Sequence, residues 1–492
     1  MAEVILSIDQ GTTGTTVVLI DRDLRVLARG YREFRQIYPQ PGWVEHDPDD
    51  IWDSLLGAIR DALRGDALSP SDIRAIGITN QRETNVIWNR QTGKSYHHAI
   101  VWQCRRTAEI CNELRAGGYE KVFTEKTGLL LDPYFSGTKL KWQFDNVPGL
   151  RDEVKAKRVA AGTIDSYLIW RLTDGRSHVT DVTNASRTLL MNLKTLSWDE
   201  ELSRILDVPM EVLPEIRGCA DLMGYTRDVP GLPDGIPICG CAGDQQAALF
   251  GQACFAPGEA KCTYGTGAFL LLNTGGTPVP SGNRLLTTVA WKLGDTVTYA
   301  LEGSVFIAGA AVQWLRDGLR IIEHAAEIEE LAMKVPDTGG VTFVPAFVGL
   351  SAPHWRSEAR GIITGITRGT TRAHLARAAL EGIALQNVEI LSAMESDCGR
   401  SLVGLKVDGG ASANNLLMQM QADFLGCRII RPKVVETTAL GAAFFAALGA
   451  GLMKDVNEIK HAWKEDRVFE PQMDAHARAE ILTRWRDAVR RT

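Results

Sequence analysis

The sequence lacks any apolar run long enough to cross a membrane, and it also lacks a dense block of basic residues. Its most apolar stretch, residues 439–453, is rich in Ala and Gly and is shorter than the roughly 20 residues that a spanning helix needs. This stretch therefore predicts a buried helix. The formal net charge is −6, and no cluster of Lys and Arg could follow a phosphate backbone, so nucleic acid is not an expected partner. The N-terminal residues MAEVILSIDQ carry an acid where a signal peptide needs basic residues, which predicts a cytoplasmic location.

Paired-cysteine motifs and the two commonest nucleotide-binding motifs are missing as well. The nine cysteines include no Cys-x-x-Cys pair, so we expect core thiols. The sequence Gly93-Lys94-Ser95 is preceded by Trp88 at the position where a Walker A loop requires glycine. The Gly-x-Gly sequences at Gly265 and Gly449 lack the third glycine of a Rossmann fingerprint. The sequence therefore predicts neither a P-loop nor a dinucleotide site.

What the sequence does contain is an alternation of strands and helices with a duplicated hairpin. Residues 4–20 predict two apolar strands joined by a turn, and residues 260–273 repeat this pattern about half a chain later. A chain of 492 residues is too long for one hydrophobic core. We therefore expect an α/β fold with two domains, 1–250 and 251–492.

The turn of each predicted hairpin carries groups that suit a phosphate. The first turn offers backbone N–H groups and the hydroxyls of Thr12 and Thr13, and Asp9 at the strand end could hold a hydrated cation. A hairpin turn without any ligand explains this segment equally well when it is taken alone. The second turn, which contains Thr266, favours the first interpretation, because two such turns can clamp one polyphosphate between two domains.

Two further positions carry charged residues at the ends of predicted strands. Asp244 follows an apolar strand near the proposed hinge, where its carboxylate could accept a proton from an attacking hydroxyl. The alternative is an N-cap for the helix that starts at Gln245. The pair Arg82 and Glu83 follows a strand at 73–79 and could supply both the donors and the acceptors that polyol hydroxyls need. A solvated ion pair is the alternative, and for these two residues alone it is the better one.

Six segments together resemble the FGGY family of carbohydrate kinases, and within it the kinases that act on glycerol. The segments are DQGTT (9–13), NQRET (80–84), DPYFS (132–136), GDQQ (243–246), YGTG (264–267) and DGGA (408–411). The resemblance runs from the first strand to about Gly451. It implies two actin-like, ribonuclease H-like domains with a catalytic cleft between them. The implied reaction is the ATP-dependent, Mg²⁺-requiring phosphorylation of glycerol to sn-glycerol 3-phosphate.

Carried over position by position, the resemblance also implies individual roles. The catalytic residues are the general base Asp244 and Asp9, which would hold Mg²⁺ through water. The hydroxyls of the substrate would be bound by Asp244, Arg82, Glu83, Tyr134 and Gln245. Its carbon chain would pack against two rings that could equally be core side chains, Trp102 and Phe269. The phosphates would contact Thr12, Thr13, Gly14 and Thr266. The ribose and adenine would contact Gly309, Gln313, Gly410 and Asn414.

The chain departs from the family pattern in the first hairpin. At position 16, where the family commonly has an arginine, this sequence has Thr16. The resemblance implies a nucleotide-binding role for Thr16, but without the positive charge that an arginine would bring to the phosphates. The segment 222–235 holds no histidine for phosphotransfer and lacks the arginine that binds fructose bisphosphate, so neither form of regulation is expected.

Two other functions fit part of the sequence. A different FGGY kinase, acting on a pentulose or a longer alditol, would use the same fold and phosphate turns. An actin-fold ATP-binding regulator would have no reason to carry Asp244 opposite a polyol site. The family resemblance further implies a homo-oligomer, either a dimer or a tetramer.

Overall fold

Each half of the chain builds one large mixed sheet around a strand–turn–strand hairpin. A computed structural model describes residues 3–23, 25–65, 68–356 and 358–492. The first sheet has six strands, in spatial order Gly224–Tyr225, Pro237–Gly243, Ile73–Asn80, Val4–Gln10, Gly14–Asp21 and Val26–Glu33. The second sheet has seven strands, in the order Leu286–Leu293, Thr296–Val305, Ala268–Gly275, Ala260–Tyr264, Leu405–Asp408, Ile429–Pro432 and Glu465–Phe469. The predicted α/β fold and both predicted hairpins are confirmed.

Parallel pairing inside each sheet brings the charged motifs to one edge. Ile73–Asn80 runs parallel to Val4–Gln10 on one side and to Pro237–Gly243 on the other. Ala260–Tyr264 runs parallel to Leu405–Asp408 in the second sheet. Because parallel strands end at the same edge of a sheet, the segments that follow them in the chain lie side by side. This topology gathers the turns and carboxylates that the sequence singles out.

Smaller sheets and helices cover the two large sheets. A four-stranded sheet is formed by Glu45–His46, Ala99–Ile100, Asn85–Asn89 and Val159–Thr163. Three two-stranded sheets pair Met191–Asn192 with Ser197–Trp198, Val179–Asp181 with Glu215–Arg217, and Thr342–Val344 with Ile362–Thr364. Helices before residue 260 are Pro48–Ala62, Ala108–Ala116, Glu120–Thr127, Ser136–Asn146, Leu150–Lys155, Ile164–Leu172, Val182–Ala185, Glu200–Leu206 and Asp244–Gly251. Helices after residue 260 are Gly309–Asp317, Glu327–Ala332, Arg372–Cys398, Asn415–Leu425, Thr437–Gly449, Val456–Ala462 and Ala475–Arg491. Single 3₁₀ turns lie at Pro70–Asp72, Met210–Val212 and Gly410–Ala413.

The most apolar stretch forms the buried helix Thr437–Gly449, as its composition predicts. This helix packs on the first sheet and on helix Asp244–Gly251, so it joins the two halves. The approach is close enough to require glycine, because a Cβ at Gly240 would come within 2.6 Å of the carbonyl oxygen of Ala442. Across residues 3–23, 25–65, 68–356 and 358–492, no helix combines the length and the apolar character needed to traverse a bilayer.

Candidate active site

The part of the candidate site that is predicted to bind the acceptor, here named the acceptor side of the cleft, is organised around Arg82 and Asp244. Arg82 is only 2% exposed, and its Nε lies 3.1 Å from Oδ1 of Asp244. Its two terminal nitrogens donate to both carboxylate oxygens of Glu302, at 2.5 and 2.9 Å. Such a two-bond pairing fixes the plane of the guanidinium group. Arg82 is therefore held rigidly with one edge facing Asp244.

Glu83 is buried beside Arg82, which rules out a solvated ion pair between the two. Glu83 accepts a hydrogen bond of 2.6 Å from Nε of Arg187, and Arg187 also donates to Glu302 at 3.0 Å. The backbone of Glu83 is left-handed, with φ of 60°, and its carbonyl accepts a hydrogen bond from Oγ of Ser136. A left-handed non-glycine residue is strained and persists only where neighbours hold it, often at a functional site.

Two members of this buried charge network, Arg187 and Glu302, do not figure among the residues predicted from the sequence. Glu302 is the only charged residue of the strand Thr296–Val305, and a lone acid in a central strand is the signal that could have marked it. Burial alone would raise the pKa of Glu302, but the charges of Arg187 and Arg82 lower this pKa to about 2. Two arginines and two glutamates are thus paired in the interior, where an unpaired charge would be costly.

Asp244 is the part of the acceptor side that remains open to the cleft. Its side chain is 29% exposed, and it begins the helix Asp244–Gly251, for which Gly243 provides the N-cap. Oδ1 of Asp244 accepts a hydrogen bond from the backbone N–H of Gln245 at 2.7 Å. Burial raises the pKa of Asp244, although the charges of Arg82 and Lys261 oppose the rise. The carboxylate therefore combines access to the cleft with enhanced basicity.

Aromatic rings close the acceptor side toward the phosphate turn. The ring of Trp102 lies 5.6 Å from that of Tyr134 and 6.4 Å from that of Phe269, in edge-to-face geometry. The hydroxyl of Tyr134 accepts a hydrogen bond from Arg82 at 3.4 Å. Nε1 of Trp102 donates to Oγ1 of Thr12 at 3.0 Å. The three rings thus form an apolar wall, and Trp102 also connects that wall to the first phosphate turn.

Gln245 and Lys261 make a second contact between the two halves of the chain. Gln245 is buried, and its Oε1 accepts a hydrogen bond of 2.5 Å from Nζ of Lys261. The same ammonium group donates to Oγ1 of Thr263 at 2.8 Å. Burial lowers the pKa of Lys261 from its ordinary value. The oxygen of Gln245 is therefore engaged by Lys261, which sequence reasoning did not identify.

The part of the candidate site that is predicted to bind the nucleotide, here named the nucleotide side, consists of two tight turns that carry threonine hydroxyls. In the first turn the N–H of Gly11 donates to the carbonyl of Gly14 at 2.9 Å. In the second turn the N–H of Gly265 donates to the carbonyl of Gly267 at 2.8 Å. The side chains on these turns are accessible, since Thr12 is half-buried and both Thr13 and Thr266 are exposed.

The second turn is joined to the start of helix Gly309–Asp317. The carbonyl of Thr266 accepts hydrogen bonds from the backbone of residues 308 and 310, and a Cβ at Gly309 would come within 2.7 Å of the carbonyl oxygen of Gly265. Gln313 lies exposed one turn further along this helix. The positive end of a helix dipole therefore lies beside the second turn, an arrangement that favours anions.

The loop after Leu405–Asp408 also borders the second turn. Gly409 has φ of 81°, and a Cβ there would meet the carbonyl oxygen of Tyr264 at 2.5 Å. Gly410 is exposed, and a Cβ at this position would have open space around it. Asn414 is the N-cap of helix Asn415–Leu425 and accepts a hydrogen bond from the N–H of Leu417 at 2.8 Å. Gly409 therefore has the left-handed backbone conformation of this loop, while Gly410 faces free space.

Asp9 lies at the end of the first strand, directly paired with Thr16. Burial raises the pKa of Asp9 to about 7, the nearby charge of Asp244 adds to the rise, and the charge of Arg29 opposes it. Two carboxylates that repel one another in a cleft are an oxygen donor set that a hard divalent cation would neutralise. The donor set therefore fits Mg²⁺.

Comparisons with family models and with known proteins both match this chain to carbohydrate kinases. Residues 4–251 match the N-terminal domain, and residues 260–450 the C-terminal domain, of the FGGY family of carbohydrate kinases. A protein called glycerol kinase from Myxococcus xanthus is 58% identical over 100% of this chain and 99% of its own length. One from Bdellovibrio bacteriovorus is 55% identical over the same shares.

Solved structures agree with these matches. The crystal structure of Plasmodium falciparum glycerol kinase with ADP superposes with a TM-score of 0.93 at 41% identity, covering 100% of this chain and 98% of that one. A ligand-bound xylulose kinase from Lactobacillus acidophilus superposes with a TM-score of 0.88 at 25% identity, covering 99% and 97%. Both large sheets and the cleft edge described above lie within the matched regions. The chain belongs to the FGGY family of carbohydrate kinases.

Proposed function

We propose that the protein transfers the γ-phosphoryl group of ATP to a terminal hydroxyl of glycerol, producing ADP and sn-glycerol 3-phosphate. Relatives called glycerol kinase, at 54–58% identity over nearly the whole chain, support this choice of substrate. The observation that carries the proposal is the pairing of Arg82 with Asp244 at 3.1 Å on an otherwise buried, ring-lined pocket wall. That wall offers a small number of polar groups beside apolar surface, which suits a three-carbon polyol.

In this proposal the acceptor is oriented before transfer by groups that are already fixed. Tyr134 can donate a hydrogen bond to a hydroxyl oxygen, and Arg82 would donate one in exchange for its contact with Asp244 or Tyr134. The carboxylates of Glu83 and Asp244 can accept hydrogen bonds from the hydroxyls. Trp102 and Phe269 would contact the carbon chain. Because Glu302 and Arg187 hold the charged groups in place, little reorganisation is required when the substrate binds.

The proton of the attacking hydroxyl would pass to Asp244. The oxygen of glycerol forms a bond to the γ-phosphorus while the bond from that phosphorus to the β–γ bridging oxygen of ATP breaks. Asp244 is the carboxylate best suited to this role, because it is partly exposed in the cleft and burial raises its pKa. The proton is lost to solvent after the product leaves.

The nucleotide would be held by the two turns and by the loop after Leu405–Asp408. Thr12, Thr13 and Thr266 supply hydroxyls on tight glycine turns, and the start of helix Gly309–Asp317 adds the positive end of a dipole. Gln313, Gly410 and Asn414 border the same region and are proposed to contact ribose and adenine. Mg²⁺ would be held through water by Asp9, and when bound it supplies charge neutralisation on the phosphate oxygens.

Three features of the wider protein stay predictions. The two domains 1–250 and 251–492 are proposed to close over the substrates, because water would otherwise compete with glycerol as the nucleophile. Assembly into a homo-oligomer is proposed from the family resemblance. Regulation by fructose bisphosphate or by histidine phosphorylation is not expected, since segment 222–235 lacks the residues for either.

A coupled assay of ADP release tests the substrate directly. Purified protein with ATP and Mg²⁺ should produce ADP with glycerol at a kcat/KM at least about a hundredfold above that with xylulose, ribulose or longer alditols. A preference for one of these larger substrates would replace glycerol by another acceptor within the same family. ATP hydrolysis that no polyol stimulates would contradict kinase activity altogether.

A further inference from the structure

Arg29 lies on the same face of the first sheet as the carboxylate and hydroxyl groups of the nucleotide side. Strand register pairs Asp9 with Thr16, Thr16 with Tyr31, and Val18 with Arg29. Directly paired residues point to the same side of a sheet, and residues two apart along one strand also share a face. Asp9, Thr16, Tyr31 and Arg29 therefore form one surface beside the first phosphate turn.

The guanidinium group of Arg29 extends along this surface toward the turn. Its Cζ lies 5.9 Å from the centre of the Tyr31 ring. The far edge of that ring reaches Gly14, where an added Cβ would come within 2.7 Å of Cε2 of Tyr31. The positive charge of Arg29 also lowers the pKa of Asp9. Arg29 thus acts electrostatically on the site although it lies two strands away from Asp9.

Arg29 differs from the neighbouring arginines because, among the described residues, no acid forms an ion pair with it. Four other arginines of this region each form an ion pair with a carboxylate: Arg22 with Glu3, Arg25 with Asp23, Arg32 with Asp61, and Arg35 with Asp50. Among residues 3–23, 25–65, 68–356 and 358–492, the exposed guanidinium of Arg29 has the Tyr31 ring as its neighbour and no hydrogen-bond or ion-pair partner. Its charge is therefore available to a ligand.

Two other cations of the candidate site are engaged by groups in the interior. Arg82 is committed to Glu302 and Asp244, and Lys261 to two oxygen atoms in the interior. Thr16, on the same face as Asp9, contributes a hydroxyl and no charge. A triphosphate keeps a net negative charge even with one Mg²⁺, and arginine is the side chain best suited to phosphate oxygens.

We propose that Arg29 binds a phosphate group of the nucleotide, reaching it through the space that the short side chain of Thr16 leaves open. A positive charge is then supplied from the strand next to that of Thr16, on the same face of the sheet. This inference rests on the proposed use of ATP, and it concerns the nucleotide alone, whichever polyol is the acceptor.

Isothermal titration of Arg29→Ala with ATP and with adenosine, both in the presence of Mg²⁺, tests the proposal. The dissociation constant for ATP should rise about tenfold, because one charge-assisted contact to phosphate is lost, whereas that for adenosine should stay within twofold. Arg25→Ala serves as the matched control, since Arg25 is an exposed arginine of the same hairpin that is paired with Asp23. The affinity of the Arg25→Ala variant for ATP should not change.

A second variant restores the charge from the other strand. Thr16→Arg combined with Arg29→Ala should recover most of the ATP affinity, because positions 16 and 29 share a face. An unchanged ATP affinity in Arg29→Ala, or equal weakening of ATP and adenosine, would overturn the proposal. Failure of glycerol as a substrate would leave these binding results as they are, so the two hypotheses are tested separately.

Discussion

On the acceptor side of the cleft, Arg82 and Glu83 are buried and held by ion pairs to Glu302 and Arg187, whereas on the nucleotide side Thr13 and Thr266 are exposed on glycine turns. The acceptor side is assembled before any ligand arrives. The nucleotide side instead presents exposed threonine side chains on tight turns. Under the proposed function, acceptor geometry is set by internal charge pairing and nucleotide binding depends on groups at the surface.

The two sides are joined at only a few described contacts. Nε1 of Trp102 donates to Thr12, and the carboxylates of Asp9 and Asp244 repel one another across the gap. Substitutions on either side of these contacts can therefore separate the two functions. A substitution on the acceptor side should change turnover or stability, and one on the nucleotide side should change the affinity for ATP.

The largest expected effect is that of Asp244→Asn. An amide cannot accept the proton of the attacking hydroxyl, so kcat should fall by about a thousandfold while the dissociation constant for ATP stays within about twofold. Steady-state kinetics and isothermal titration measure the two quantities. Asp295→Asn, which alters an exposed carboxylate in the hairpin turn between Leu286–Leu293 and Thr296–Val305, is the control. Turnover near that of the unaltered protein in Asp244→Asn would contradict the assignment of Asp244 as the base.

The next largest effect is expected for Glu302→Gln. Removing this buried charge leaves Arg82 and Arg187 partly uncompensated, and breaking such a pair costs about 3–5 kcal/mol. The urea midpoint of unfolding should fall and KM for glycerol should rise, while ATP binding is little affected. The pKa of Glu302 is lowered to about 2. Its contribution to the free energy of unfolding is therefore fully present at pH values above the usual pKa of a glutamate, and it is lost as the pH falls toward 2.

The pH dependence of Glu302→Gln supplies the check on that prediction. Acid unfolding between pH 5 and 2 should be shallower in the variant, because one carboxylate with a lowered pKa is gone. Glu211→Gln, at an exposed position, should keep the steep dependence. Equal slopes in all three proteins would show that the network does not stabilise the fold.

On the nucleotide side, Asp9 predicts a moderate and pH-dependent effect. Its pKa is raised to about 7, so the charged form that holds a cation is lost as pH falls below 7. We expect kcat/KM for MgATP to decrease up to tenfold per pH unit below that value. The Asp9→Asn variant should have a low kcat/KM that does not decrease further below pH 7. A decrease of the same size in the variant would assign the pH dependence to another group.

The smallest effects are expected from the backbone of the nucleotide turns. In Gly309→Ala the added Cβ would come within 2.7 Å of the carbonyl oxygen of Gly265, so the second turn must shift, and KM for ATP should rise about three- to tenfold. KM for glycerol should stay constant. Gly276→Ala is the control, because its Cβ would have ordinary contacts at 3.8 Å. Equal changes in both KM values would break the separation between the two sides of the cleft.

Much of the fold and the outline of the site could be predicted from local sequence. Apolar strands that flank short turns identify both hairpins, and the small, apolar composition of 439–453 identifies a buried helix. The turn residues Thr12, Thr13 and Thr266 and the strand-end acids Asp9 and Asp244 are recognisable because their neighbours in the chain fix their local geometry. The adenine-side positions depended on the family resemblance, since Gly410 and Asn414 have no distinctive local pattern.

The interaction partners of those residues could not be predicted from local sequence. Arg82 and Glu302 are separated by 220 residues in the chain, and Arg187 and Glu83 by 104. Lys261 and Arg29 look like ordinary strand residues until the register of their sheets is known. A local sequence pattern does not identify which charged residues, far apart in the chain, will form an ion pair.

The sequence by itself therefore determined the type of fold, the two turns and the family, because hydrophobic periodicity and turn chemistry act over a few residues. Tertiary structure alone decided which charges are neutralised and which stay free. Glu302 is buried against two arginines because packing of the two halves brings them together. Strand register places Arg29 on the face that carries Asp9 and Thr16, where it has no ion-pair partner among the described residues. A charge in a cleft gains its function from its surroundings, and those surroundings are set by contacts between residues far apart in the chain.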